Sequence, residues 1–196
     1  KAVEGAVENG LFVITGGPGT GKTTVIKNIL NVFENKGFSI SLAAPTGKAA
    51  KRLSESTGRE ASTIHRLLGF KPQGDNIDDD VNVQFEYNEQ NQLETDVIII
   101  DEMSMVDLSI MYSLIKAVNV GTRLVLVGDA DQLPSVGAGN VLRDMIASGR
   151  IPVVRLTRIF RQAQGSRIIM NAHRINHGQA IDIRGGRNSD FFFAEK

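Results

Sequence analysis

The chain has 196 residues, room for one domain at roughly 150 residues each, and its 41% hydrophobic and 22% charged composition is that of a folded globular protein. With no cysteine it has no disulfide scaffold, zinc–thiolate site or thiol nucleophile, which fits a reducing, cytoplasmic interior. No apolar run approaches the ~18 residues of a membrane span, and the net charge of zero hides two opposed blocks: eight acids against one base between Phe70 and Asp96, and eight arginines against one acid between Arg150 and Arg187.

Short buried strands alternate with amphipathic helices along the chain. Leu11 to Thr15 is an apolar run too short for a helix, ending at a glycine cluster, and reads as a strand. Val25, Ile26, Ile29, Leu30 and Phe33 then recur at helical spacing, with a stop at Lys36-Gly37. Ser39 to Ala44 reads as a second strand and Lys48 to Thr57 as a helix. Residues Gly69 to Leu93 break the rhythm: Val81, Val83, Phe85 and Tyr87 alternate with polar neighbours, predicting a half-buried strand in a hairpin that stands off the sheet. Val97 to Ile100 is the clearest strand, followed by a helix from Leu108 to Val118 and a strand from Arg123 to Val127. Helices over Val141–Ala147 and Ser166–Asn176 complete the pattern. Strand alternating with helix predicts an α/β fold, a mostly parallel, doubly wound sheet with helices on both faces, whose ligands sit beyond the carboxyl ends of the strands. The chain does not begin with Met and reaches its first apolar strand after ten residues, so it reads as a piece of something longer.

The polar clusters fall at those strand ends. Gly16-Gly17-Pro18-Gly19-Thr20-Gly21-Lys22-Thr23 matches G-x-x-x-x-G-K-[ST] between a buried strand and an amphipathic helix. In that setting Gly17 to Gly21 let backbone N–H groups turn around phosphate oxygens, the helix adds its positive end through Thr24, Lys22 reaches the β- and γ-phosphates, and the Thr23 hydroxyl holds Mg²⁺. Asp101 and Glu102 leave the apolar strand directly. The first can bind the metal through water, and the second can orient and deprotonate an attacking water; the alternative is that the pair only caps the next helix. Hydrolysis is favoured over transfer to a bound acceptor. Gln132, in Gly128-Asp-Ala-Asp-Gln132-Leu-Pro134, can touch both the γ-phosphate and that water, or it sits in an ordinary turn. Pro45, Thr46 and Lys48 leave the second strand into a helix; Thr63 and His65 repeat the theme. Each hydroxyl can meet a second phosphate chain or simply cap its helix, and a lone histidine is more often structural.

Taken in order, GGPGTGKTT, APTGKAAKRL, STIHRLL, DEMSMVD, GDADQLPSVGAG and LTRIFRQA resemble the RecD/TraA branch of the superfamily 1 DNA helicases, the exodeoxyribonuclease V alpha-chain family. The NAHRIN and SDFFF stretches are similar to its stand-alone RecD-like members. The resemblance implies a RecA-like P-loop ATPase lobe over residues 1–196 that uses ATP and Mg²⁺. Lys22, Thr23, Asp101, Glu102 and Gln132 would have the roles above. It implies further that Arg161 touches the γ-phosphate and that Phe160 lies against the adenine, unless Phe160 is a core residue. Pro45, Thr46, Lys48, Thr63 and His65 would face single-stranded DNA, and residues 70–94 would be a pin at which the duplex splits. The later motifs of a second RecA-like lobe have no match, so the chain is expected to be the first motor lobe of a 5′–3′ helicase. Its partners would be single-stranded DNA, the second lobe of the same full-length chain and the subunits of a nuclease complex, with no membrane. Rival readings are a P-loop ATPase acting on something other than nucleic acid and a regulatory subunit of a nuclease complex.

Overall fold

The structure is a computed structural model that describes residues 1–70, 85–160, 165–183 and 189–192. Six strands form one parallel sheet: β1 (Leu11–Gly16), β2 (Ile40–Ala44), β3 (Ser62–Thr63), β4 (Val97–Ile100), β5 (Arg123–Gly128) and β6 (Val153–Leu156), in the order β3-β2-β4-β5-β1-β6. Among the described residues the helices are α1 (Ala2–Glu8), α2 (Lys22–Asn35), α3 (Gly47–Thr57), α4 (Ile64–Leu67), α5 (Leu108–Ala117), α6 (Val141–Ala147) and α7 (Arg167–Asn176). A single 3₁₀ turn, Met103–Met105, follows β4.

The central strands are largely apolar, β4 at every position, because each face of the sheet is covered. Successive side chains point to opposite faces. Phe12, Ile14, Val97, Ile99, Val125 and Val127 pack on α1, α2 and α3 through Ala6, Ile26, Ile29, Phe33 and Leu53. Val13, Ile98, Ile100, Leu124 and Leu126 pack on the other side against Met103, Met111, Leu114, Val141 and Leu142. Helix α2 contributes Ile26, Ile29, Leu30 and Phe33, all buried, each worth about 1.5–3 kcal/mol relative to an exposed side chain. The helix ends as its sequence predicts: Gly37 takes φ +75° and the Phe38 amide returns to the Phe33 carbonyl.

This topology positions the site. β1 departs into α2 on one face, whereas β4 and β5 depart towards α5 and α6 on the other. The crevice outside the carboxyl ends of β1, β4 and β5 is therefore open. There the glycine-rich turn, the acidic pair and the Asp129–Gln132 loop meet.

Four elements were not anticipated from the sequence: α1, β3, α4 and β6. Most of the pin expected over residues 70–94 lies in residues 71–84, outside the described residues. At its described feet, Phe70 and Phe85 form an antiparallel bridge, and the Tyr87 amide donates to the Leu68 carbonyl at 3.1 Å.

Candidate functional site

The phosphate-type turn joins β1 to α2, and the carbonyls of Gly16, Gly17, Pro18 and Gly19 each have a partner. The Lys22 ammonium donates to Gly16 O at 2.6 Å and Gly17 O at 3.2 Å. The Thr20 hydroxyl donates to Gly17 O at 2.8 Å. His173 Nε2 lies 3.0 Å from Pro18 O, and the Phe160 amide donates to Gly19 O at 3.0 Å. Gly19 and Gly21 adopt φ +74° and +86°, the left-handed region that side chains disfavour. With these carbonyls bonded, the amides of the turn stand beside the first N–H groups of α2, the arrangement that receives an anion at a helix N-terminus.

The turn walls a cleft of about 610 Å³ lined by Gly17, Gly19, Lys22, Thr23, Asp101 and Phe160, among others. A second hollow of about 720 Å³ shares Thr23, Asp101 and Glu102 and adds Thr46, Lys48, Arg52 and Gln132. The two wells thus meet at Thr23 and the acidic pair.

Asp101 continues β4, its amide donating to Ala43 O at 3.0 Å. Its carboxylate accepts the Glu102 amide at 2.9 Å, which fixes the carboxylate's direction. Burial pushes its pKa up from the ordinary 3.8 to about 6, the neighbouring Glu102 charge adding to the rise while that amide and Lys22 oppose it. Glu102 has φ +56°, the one positive value outside glycine among the described residues. This turn of the backbone carries the chain from β4 into the 3₁₀ turn and leaves the Glu102 side chain on the cleft wall.

The β5 loop is pinned from beneath. Asp129 is buried; its carboxylate accepts the Asp131 amide at 3.0 Å and the Gln132 side-chain amide at 3.3 Å. The Ala130 amide donates to the buried Thr15 hydroxyl at 3.1 Å, tying this loop to the end of β1.

Lys22, Thr23, Asp101, Glu102 and Gln132, chosen from separate motifs, therefore share one connected cleft, with Thr24 on its wall. Phe160 is half exposed rather than in the core, and its ring packs on Gly21. Arg161 lies outside the described residues. Pro45 precedes the N-cap of α3, where the Thr46 hydroxyl accepts the Ala49 amide at 3.2 Å; Lys48 follows, exposed. Thr63 caps α4 in the same way, accepting the Arg66 amide at 3.1 Å. The His65 ring packs against Phe70 and Phe85, each centroid 6.0 Å away. Both hydroxyls and the imidazole thus have partners inside the protein. His173, Thr15 and Asp129 were given no role from the sequence, although each lies in a segment it marks. His173 comes from a helix some 150 positions along the chain from the turn it touches, so the NAHRIN stretch alone does not show that contact.

The Thr23 hydroxyl and the Asp101 carboxylate line the same cleft, and oxygen donors of this kind suit Mg²⁺, which keeps several waters and is bound by one or two carboxylates together with substrate phosphates.

Residues 1–138 match the AAA domain family. The chain is 46% identical over 170 residues to the ATP-dependent RecD2 DNA helicase of Deinococcus radiodurans, covering 87% of this chain and 22% of that protein. It is 44% identical over 168 residues to the RecBCD enzyme subunit RecD of Mycolicibacterium smegmatis, covering 74% of this chain and 29% of that one. It thus spans less than a third of these relatives. Among solved structures it is similar to the Pif1 helicase from Candida albicans (TM-score 0.63, 26% identity, 92% of this chain and 43% of that one). It is also similar to Bacteroides sp Pif1 in complex with ADP-AlF4 (TM-score 0.55, 28% identity, 82% and 41%). The fold expectation of a RecA-like α/β lobe agrees with these neighbours. The chain belongs to the AAA domain family, in a branch similar to the RecD-type helicases.

Proposed function

We propose that the chain is the first motor lobe of an ATP-dependent DNA helicase that moves 5′ to 3′ on single-stranded DNA. The observation that carries this reading is the connected cleft in which the glycine turn, its carbonyls bonded, meets Lys22, Thr23, Asp101 and Glu102. The amides of Gly17 to Thr24 cradle the phosphates, and Lys22 leaves its carbonyl partners to take up the β- and γ-oxygens. Thr23 and Asp101 would hold Mg²⁺, which when bound would neutralise charge on the phosphates. Glu102 orients a water in line with the γ-phosphate and accepts its proton. Gln132, hinged on buried Asp129, senses whether that phosphate is present. Arg161 and a second lobe supplied by the remainder of the full-length protein complete the charge stabilisation, and Phe160 stacks on the base.

Hydrolysis then alternates grip on the strand. Pro45, Thr46, Lys48, Thr63 and His65 line the ends of β2 and β3 on the strand's path, and backbone contacts predominate because a motor must accept every sequence. With Thr46 and Thr63 spent on caps, Lys48 and the free backbone groups carry most of that contact. Residues 70–94 form an inserted pin within the 1–196 lobe. Two relatives are RecD subunits of RecBCD enzymes, so nuclease-complex subunits are the protein partners this reading favours.

The test is ATPase activity of the full-length protein with and without single-stranded DNA. Stimulation by the strand is expected. Lys22→Ala and Glu102→Gln should each lower turnover by at least about 100-fold, the scale of losing a general base or a charge-stabilising group, while Glu102→Gln still binds ATP. ATPase activity indifferent to DNA would favour a P-loop ATPase with another substrate. Loss of ATP binding in Glu102→Gln would make Glu102 structural.

A further inference from the structure

The stretch after β6 crosses back over the glycine turn and touches it twice. The Phe160 amide takes Gly19 O, and α7 delivers His173 to Pro18 O, both at 3.0 Å. A carbonyl only accepts, so Nε2 of His173 must carry a proton; the neutral Nε2–H tautomer and the imidazolium both donate here. The fit is close: a Cβ at Gly17 would stand 2.7 Å from His173 Cε1.

Helix α7 is itself held firmly. Asn171 is buried and locked to Asp182 in both directions, Nδ2 donating to the Asp182 carbonyl at 3.0 Å and Oδ1 accepting its amide at 2.8 Å. At the other end Ser166 caps the helix, and its hydroxyl and the Arg167 amide bond the Asp190 carboxylate. The imidazole therefore arrives on a braced helix rather than on a loose end.

In a peptide unit the carbonyl and the next amide point in opposite directions. The His173 bond to Pro18 O therefore sets the direction of the Gly19 N–H, and the Phe160 bond to Gly19 O sets that of the Thr20 N–H. We propose that His173 is a positioning residue of the phosphate turn: by bonding the Pro18 carbonyl it pre-orients the turn's amides before nucleotide arrives. This deepens the function proposed above and rests on the turn binding nucleotide phosphate.

The experiment compares His173→Phe, which keeps a ring and loses the donor, with His173→Gln, which restores an N–H donor, in the full-length protein. His173→Phe should raise the KM for ATP about five-fold, within the range for one neutral hydrogen bond, and leave kcat and the melting temperature near the parent's. Amide hydrogen exchange over residues 17–21 should quicken in the nucleotide-free His173→Phe protein, and His173→Gln should bring both readings back. An unchanged KM and unchanged exchange in His173→Phe would overturn the proposal, as would a His173→Gln protein that behaves like His173→Phe. Gly17→Ala supplies an independent reading: it should raise KM less in a His173→Ala background than in the parent, because the two positions touch. Fully multiplicative effects would contradict the contact. Failure of the underlying nucleotide reading is distinguishable, because Lys22→Ala would then leave KM and turnover untouched, and that result overturns this proposal too.

Discussion

Glu102 sits in a backbone region that side chains avoid, and such conformations cost on the order of 1–3 kcal/mol where the surroundings enforce them. Here the enforcing parts are β4 behind it and the 3₁₀ turn ahead. The neighbouring Asp101 stores a different cost. Its folded pKa of about 6 exceeds the ordinary 3.8, so between those values the folded protein holds a proton that the unfolded chain lacks. The contribution of Asp101 to the stability of the nucleotide-free protein should therefore fall as pH rises from about 4 to about 6 and stay flat above that window, which the difference between parent and Asp101→Asn isolates. Asp101→Asn removes the charge while its carbonyl oxygen can still accept the Glu102 amide. It should raise unfolding free energy at about pH 8 by on the order of 2 kcal/mol and flatten the slope, as read from urea midpoints across that range. An Asp101→Asn protein no more stable than its parent at neutral pH would show that the buried carboxylate carries no penalty. These residues were legible because each stands beside a strong local signal, a glycine run or an apolar strand. His173 was not, since its role exists only once α7 folds back over the turn.

Among the elements, the long periodic ones were readable and the short ones were not. Helix α6 spans Val141–Ala147 as expected, and β4 spans Val97–Ile100, because apolar spacing over seven or more residues, or an unbroken apolar run, leaves few alternatives. The two-residue β3 has no period to read, and β6 is a partly exposed edge strand whose valines fit several states. Helix α1 was hidden by Gly5 at its centre, a poor helix former that is there because any Cβ would run into the Phe12 ring. Thr46 was readable in two ways, as a cap or as a contact to a phosphate chain, and its hydroxyl is bonded as a cap. Thr46→Ala should thus cost about 1 kcal/mol of unfolding free energy, and Thr46→Ser should restore most of it. Equal denaturation midpoints for Thr46→Ala and the parent would show that the bond contributes nothing to stability.

For the molecule as a whole, the parallel sheet explains why motifs scattered from Gly16 to Gln132 converge. Parallel strands share one carboxyl end, and the order β3-β2-β4-β5-β1-β6 sets β1, β5 and β4 side by side beneath the cleft. The fold class was readable from strand–helix alternation, whereas the strand order and the return of α7 across the turn depend on tertiary contacts that no local window contains. A crystal structure of the chain grown with MgADP should place the β-phosphate within hydrogen-bond distance of the Gly19 to Lys22 amides, with the metal beside Thr23 and Asp101. Phosphates bound elsewhere, or a glycine turn whose amides point away from them, would contradict a nucleotide site in this cleft.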